Sequence, residues 1–361
     1  MDARRLRRAA RGCLFEGEVT ATLEPTVGDA ARTRRPPWWL LVSLIALAVA
    51  VFLSVAFGAR VVSLGEVWTA LTTDSEDVTS AAVRSRVPRT ILAIVVGAAL
   101  AMAGAVLQAV TRNPLADPFI LGINSGASLL VVIAIAFFGA ATMPLYIVFA
   151  LAGAALAAVF VYAVGSLGIG GPTPLKLALA GAITTAAFTS LSSAILLPRI
   201  DVMRVFRFWQ VGSVGRADNH DTLMVLPILL VGAAVCLLAA RSLNILALGD
   251  DAAAGLGVHV TRTRLGGAAG AIILCGSATA LAGPIGFIGL IVPHLVRQLV
   301  GADHRWLLPI CAVTGAALLT LADVTGRVLG RPGEIDVGVV TALIGGPVFL
   351  WVVLRGRGAR A

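Results

Sequence analysis

Apolar residues in this chain gather in ten long, nearly uncharged runs, with the polar residues between them. The runs fall at about 38–58, 90–111, 119–138, 143–165, 175–197, 222–240, 266–284, 286–300, 306–323 and 338–354. A helix crossing a bilayer needs roughly 20 such residues. The pattern therefore predicts an all-α polytopic membrane protein with about ten transmembrane helices, its membrane domain covering residues 38–356. Several runs are rich in small residues, as in Gly97-Ala-Ala-Leu-Ala-Met-Ala-Gly104. Such residues let helices approach closely where lipid supplies no hydrophobic drive. The runs between 266 and 300 are nearly continuous, and Gly283, Pro284 and Gly286 supply the expected break. Gly97–Gly104 and Gly276–Gly283 match at five of eight positions. They fall in the second and seventh spans, which would run in opposite directions, an arrangement compatible with an inverted repeat.

Composition agrees with a bilayer as solvent. The chain is 58% hydrophobic and 13% charged, against about a quarter charged in soluble domains, and its mean hydropathy is +0.94. The net charge of +9 is carried almost wholly by arginine, with Lys176 the sole lysine. The arginines lie in loops between runs, which excludes a basic nucleic-acid-binding domain. Their distribution places both termini in the cytoplasm. The excess on the inner side shrinks once the distant Arg4, Arg5, Arg7, Arg8 and Arg11 are set aside, so the outer loops are basic enough to have a partner. Residues 1–37 hold charge, Pro36-Pro37 and no apolar run, and read as a disordered cytoplasmic tail. Residues 357–361 read as a C-terminal tail. Cys236, Cys275 and Cys311 fall inside spans, Cys13 precedes them, and none has metal-site spacing.

A pump needs an energy source. A nucleotide-binding P-loop requires Gly-Lys-Ser/Thr, and the only lysine stands in Pro174-Leu-Lys176-Leu. Ion-coupled carriers place acids within spans, and here Asp323, at a span end, comes nearest. The chain is thus expected to be no enzyme and to bind no cofactor, with ATP and Mg held by a separate ATPase. The loop at 241–265 contains Leu243-Asn-Ile-Leu-Ala-Leu-Gly249-Asp250-Asp251-Ala-Ala-Ala-Gly255-Leu-Gly257. It predicts two short helical pieces with an apolar face. Such a face suits a groove on a soluble partner or the lipid headgroups, and the pattern leaves both open.

Several blocks, in order and spacing, resemble the FecCD-type permeases, the membrane subunits of ATP-driven importers for iron chelates and cobalamin. They are Arg86-Val-Pro-Arg89, Gln108 to Gly122 with Asn113-Pro114 and Asp117-Pro118, and Trp209-Gln-Val-Gly212-Ser213. Further along come Ala282-Gly-Pro-Ile-Gly286-Phe-Ile-Gly289 running to Pro293-His294, Asp303-His304-Arg305, Leu321-Ala-Asp323, and Gly338 to Phe349. The resemblance implies the type II ABC importer permease fold. It implies that Asn244, Leu246, Leu248, Gly249, Asp250, Ala253, Leu256 and Gly257 belong to coupling helices that dock on the ATPase. It also implies that Arg86, Arg89 and Arg327 receive acidic knobs of an extracytoplasmic substrate-binding protein, since the guanidinium fork pairs carboxylates bidentately. Asp336 stands where relatives commonly have proline; either residue can start the last span.

The fifth span, which lines the translocation path in relatives, carries Thr184, Thr185, Ser192 and Ser193; a minority of the four is expected to face the path. His294 is read as a packing residue rather than a haem ligand, and no metal site is indicated. The leading function is the permease of an ABC importer in the cell membrane, paired with a second permease copy or a related chain. Its expected cargo is a ferric siderophore, followed by haem or cobalamin. An ion-coupled carrier is the second class. An intramembrane protease built on Ser125 and His294 is the third, and it would require the pair to meet.

Overall fold

The computed structural model describes residues 38–58, 62–72, 77–139, 142–167 and 173–358. The expected tail at 1–37 and the last three residues lie outside the described residues. Fourteen helices occur among those described: α1 (Trp38–Ala56), α2 (Leu64–Thr72), α3 (Val78–Arg84), α4 (Arg86–Thr111), α5 (Ile123–Phe138), α6 (Met143–Gly165) and α7 (Pro174–Leu196), followed by α8 (Ile200–Gln210), α9 (Asn219–Leu246), α10 (Asp250–Gly255), α11 (Val260–Ala282), α12 (Ile288–Val300), α13 (His304–Leu329) and α14 (Val337–Gly358). Seven of them, α1, α4, α6, α7, α9, α11 and α13, are long and apolar enough to cross a membrane, and α5, α12 and α14 are shorter apolar helices. These ten coincide with the ten apolar runs. The last reaches Gly358, so two residues assigned to the C-terminal tail are helical.

The remaining short helices follow polar sequence. Ser63 starts α2 as a capping box: its amide donates to Glu66 Oε2 (2.8 Å) while Glu66's amide donates to Ser63 Oγ (3.3 Å). These bonds hold the Glu66 carboxyl below its ordinary pKa. The amphipathic α8 was not expected as a separate element.

The core forms around α4, which packs on α13, α11, α12 and α9. Its 26 residues span about 39 Å at 1.5 Å rise per residue. In its C-terminal half, Gly104 lies directly on Gly289 of α12, and a Cβ on Gly104 would overlap the Gly289 backbone. That contact fixes α4 and α12 backbone to backbone.

Two stretches of irregular backbone enter this packing. Residues 113–122 link α4 to α5, and residues 283–287 separate α11 from α12. Non-helical backbone at such depth is tolerated where protein buries it or where it lines a cavity. In the first stretch buried Asp117 accepts the Phe119 amide on Oδ1 (2.8 Å). In the second, Gly283 and Phe287 have positive φ (72° and 70°). The Ser213 amide donates to Ala282 O (2.8 Å) and the Gly338 amide to Gly212 O (2.9 Å), tying the end of α11 to the start of α14. The expected break at 283–286 is therefore observed. α4 and α11 run antiparallel; the end of α4 and the second turn of α11 meet at Asp250.

Candidate functional site

The N-terminal end of α4 holds a cluster of charges. Arg89 makes a forked contact with Asp323 of α13, Nε to Oδ1 at 2.9 Å and Nη2 to Oδ1 at 2.7 Å, and its Nη1 pairs with Glu334. Arg327, one turn beyond Asp323, places Nε 3.0 Å from the second carboxylate oxygen. Its other nitrogens donate to Ser54 O (3.1 Å), Phe57 O (3.2 Å) and Ser54 Oγ (2.7 Å). Arg86 donates to Val55 O (2.9 Å) and Ala56 O (3.1 Å), and Arg331 to Gly58 O (2.7 Å).

Arg86, Arg89 and Arg327, at their helix ends, are all buried, Arg327 to 1% exposure. The reason lies in α1 and α13. The last carbonyls of a helix have no partner within it, and the arginines supply donors to those that end α1. Asp323, wholly buried, needs countercharge to be tolerated there. The exposed members of the cluster are Arg331 and Glu334.

The opposite end of the bundle carries the 241–265 loop. Its first expected piece is no separate helix: α9 continues unbroken to Leu246, and only α10 is distinct. Gly249 (φ 118°) and Gly257 (φ 78°) flank α10 in conformations that favour glycine. Leu248 and Leu256 are exposed, whereas Leu246 and Ala253 are buried. Asn244 and Asp250 turn inward. Asn244 Nδ2 donates to Asp303 Oδ1 (2.6 Å), and its Oδ1 receives the His304 amide (2.8 Å). Asp250 pairs with Arg112 and Arg264. The eight residues thus divide into an outward apolar pair, two glycines at the bends, and four that seat the loop on the bundle.

Between the two ends lies a cavity of about 230 Å³, lined by Asn124, Ser125, Ser128, Thr185, Thr189, Ser192, Ser193, Gln210 and the apolar Phe119, Leu196, Phe206 and Pro284. It sits where both irregular stretches meet α5, α7 and α8. Thr185, Ser192 and Ser193 line it; Thr184 does not, being buried with its hydroxyl on Ala180 O (2.7 Å). Among the described residues, Asn124 Nδ2 and Thr185 Oγ1 are buried behind this wall without a hydrogen-bond partner, whereas Thr189, Ser193 and Gln210 are exposed. Asn124 and Gln210 escaped sequence reading; the available signals were the amide near the start of the third run and the alternating polar residues of 200–210, which form the amphipathic α8.

Other candidates resolve separately. Ser125 donates to Gly122 O (2.8 Å), while His294 lies 3.0 Å from Gln298 and lines a different cleft. The two do not form a catalytic pair. Among the described residues no group of three His, Cys, Asp or Glu side chains could hold a metal. Gly345 packs on the Phe287 ring rather than facing outward.

The sequence profile of the FecCD transport family matches residues 46–355. The chain is 45% identical to the ferric enterobactin transport system permease protein FepD of Escherichia coli, over 86% of this chain and 93% of that one. It is 42% identical to the iron(3+)-hydroxamate import system permease protein FhuB of Bacillus subtilis, over 88% and 83%. It is 40% identical to the hemin transport system permease protein HmuU of Yersinia pestis, over 90% and 96%. A solved inward-facing metal-chelate type ABC transporter superposes with a TM-score of 0.75 at 30% identity, over 88% of this chain and 99% of that one.

Proposed function

The chain belongs to the FecCD transport family, the permease subunits of ABC importers, and from that premise we propose that it carries an iron chelate, a ferric siderophore, into the cytoplasm. The observation that carries the cargo reading is the cavity. Its lining is uncharged, and it offers hydroxyls and amides in place of acids or bases. Such a wall suits a chelate that has wrapped its metal in oxygen ligands and presents further oxygens to hydrogen-bond donors. The exposed Thr189, Ser193 and Gln210 side chains of that lining are placed to meet them. Haem and cobalamin offer broader apolar faces, which this lining fits less well.

At about 230 Å³ the cavity is below the roughly 300–1,000 Å³ typical of drug-sized ligand sites. A second permease copy facing the exposed side of Ser193 and Gln210 would complete a path wide enough for cargo. The ATPase would dock on the outward face of α10 through Leu248 and Leu256, which places that end and both termini in the cytoplasm. The arginine end then faces outward. Among the described residues Arg89 and Arg327 share Asp323 and Arg89 pairs with Glu334, while Arg331 stays exposed at the rim, and this exposed guanidinium favours an acidic binding protein. Docking on this reading reaches the rim formed by Arg331 and Glu334, with Arg86, Arg89 and Arg327 holding the platform beneath. An ion-coupled carrier is disfavoured because Asp323 is already committed to two arginines.

Reconstitution tests this. The permease, its ATPase and its binding protein in one vesicle membrane should take up iron-55 siderophore only with ATP present. Uptake driven by an ion gradient without the ATPase would replace the importer reading by the carrier. ATP-driven uptake of haem but of no ferric siderophore would correct the cargo.

A further inference from the structure

Arg112 closes α4 in a left-handed conformation (φ 48°), which residues other than glycine adopt seldom. The turn brings its side chain against the end of α9, where Nη2 donates to Leu246 O and to Asp250 Oδ1, each at 2.6 Å. Arg264, in the second turn of α11, donates to the same carboxylate from the other side, at 3.0 and 3.1 Å. Asp250 is the first residue of α10. One carboxylate therefore joins three helices.

The rest of the loop is attached differently. Asn244 holds the end of α9 to Asp303 and His304, at the start of α13. α10 itself is bounded by Gly249 and Gly257, so its backbone links are bends rather than struts. Besides the buried methyl of Ala253, the Asp250 contacts are what fasten α10 to α4 and α11. Both helices continue far from this point. α4 begins at the buried arginine cluster, and α11 ends beside Pro284 and Trp209, at the cavity rim.

We propose that Arg112 and Arg264, acting through Asp250, are positioning residues that convert displacement of α10 into displacement of α4 and α11. Motion at the ATPase face would thereby reach the cavity and the far end. The inference rests on the reading that an ATPase docks on α10. A helix of hydrogen-bonded turns moves as a rod, whereas a glycine bend absorbs motion. Removing the clasp therefore leaves α10 able to follow the ATPase without moving the bundle.

The test uses the full complex of permease, ATPase and binding protein in vesicles, with Arg112→Ala, Arg264→Ala, Asp250→Asn and Arg112→Lys. Assembly, ATP hydrolysis and iron-siderophore uptake are measured together, because a residue serving only stability would not change the number of cargo molecules moved per ATP. Arg112→Ala and Asp250→Asn are expected to assemble and hydrolyse ATP, yet to lower uptake per ATP by roughly tenfold, within the span that residues along a coupling route carry. Arg112→Lys keeps the charge and should recover part of the ratio. An unchanged ratio in both Arg112→Ala and Asp250→Asn would overturn the proposal. So would loss of assembly in variants that keep the wild-type melting temperature, since the clasp would then shape the docking face alone. If the wild-type permease itself failed to bind its ATPase, the docking reading would fall first, and the clasp with it.

Discussion

The two ends of α4 use the same chemistry, arginine forks on an aspartate, in opposite surroundings. At the N-terminal end Arg89 and Arg327 close on Asp323, which is fully buried. At the C-terminal end Arg112 and Arg264 close on Asp250, whose side chain is 45% exposed. Burial makes the first cluster unforgiving, because separating its partners strands a charge away from water. Water softens the second, where exposed pairs contribute little energy and are screened by salt. The first reads as a lock and the second as an adjustable joint. The difference concerns which end can move.

The sharpest way to break that contrast is Asp323→Ala. It removes the carboxylate that Arg89 and Arg327 share, leaving Arg89 with Glu334 alone, and loss of one partner from such a cluster costs about 3–5 kcal/mol. Thermal unfolding in detergent should show a large fall in midpoint or no folded protein; a midpoint near wild type would mean the cluster is solvated.

Gly104→Val comes next, since its side chain must displace the Gly289 backbone. Overpacking of this kind costs about 1–3 kcal/mol, read as a lowered midpoint. An unchanged midpoint would show that α4 and α12 part easily.

Asp250→Ala should barely move that midpoint, because each exposed pair is worth about 0.2–1 kcal/mol. A fall as large as that of Asp323→Ala would erase the distinction between the ends.

The smallest effect should come from salt. Raising it from about 0.1 M to about 1 M shortens the screening length from about 10 Å to about 3 Å. Amide exchange in α10 should quicken while the first turn of α4 stays protected. Equal responses at the two ends would place both clusters in the same solvent.

Much of the architecture was legible from pattern alone. The ten runs located ten apolar helices because hydropathy over long stretches depends little on packing. Gly283, Pro284 and Gly286 marked the break for the same local reason. The arginines show where that logic fails. Arg86, Arg89 and Arg327 stand at helix ends in the sequence, and nothing local reveals that α1 ends beside them with unpaired carbonyls or that Glu334 folds back onto Arg89. Their burial is a tertiary fact. Asn244 and Asp250 were placed in the coupling loop by resemblance, but their inward turn depends on Asp303, Arg112 and Arg264, between 14 and 138 residues away. The cavity was half legible. Three of four hydroxyl residues proposed on α7 line it, while Asn124 sits in an otherwise apolar element and Gln210 in the amphipathic α8, which was not expected as a separate element.

The shortness of α12 bears on how the protein is made. Its 13 residues supply about 20 Å of helix, well short of a hydrocarbon core near 30 Å. During synthesis such a segment cannot halt translocation and settle in lipid alone. The backbone at 283–287 would face acyl chains with its amides and carbonyls unpaired. It must instead be received by α4 and α8, whose contacts at Gly289 and Trp209 are backbone-close, with Gly345 of α14 packing on the Phe287 ring only later. Insertion of α11 and α12 as one hairpin, after α4 has been laid down and before α13 closes over it, follows from that requirement.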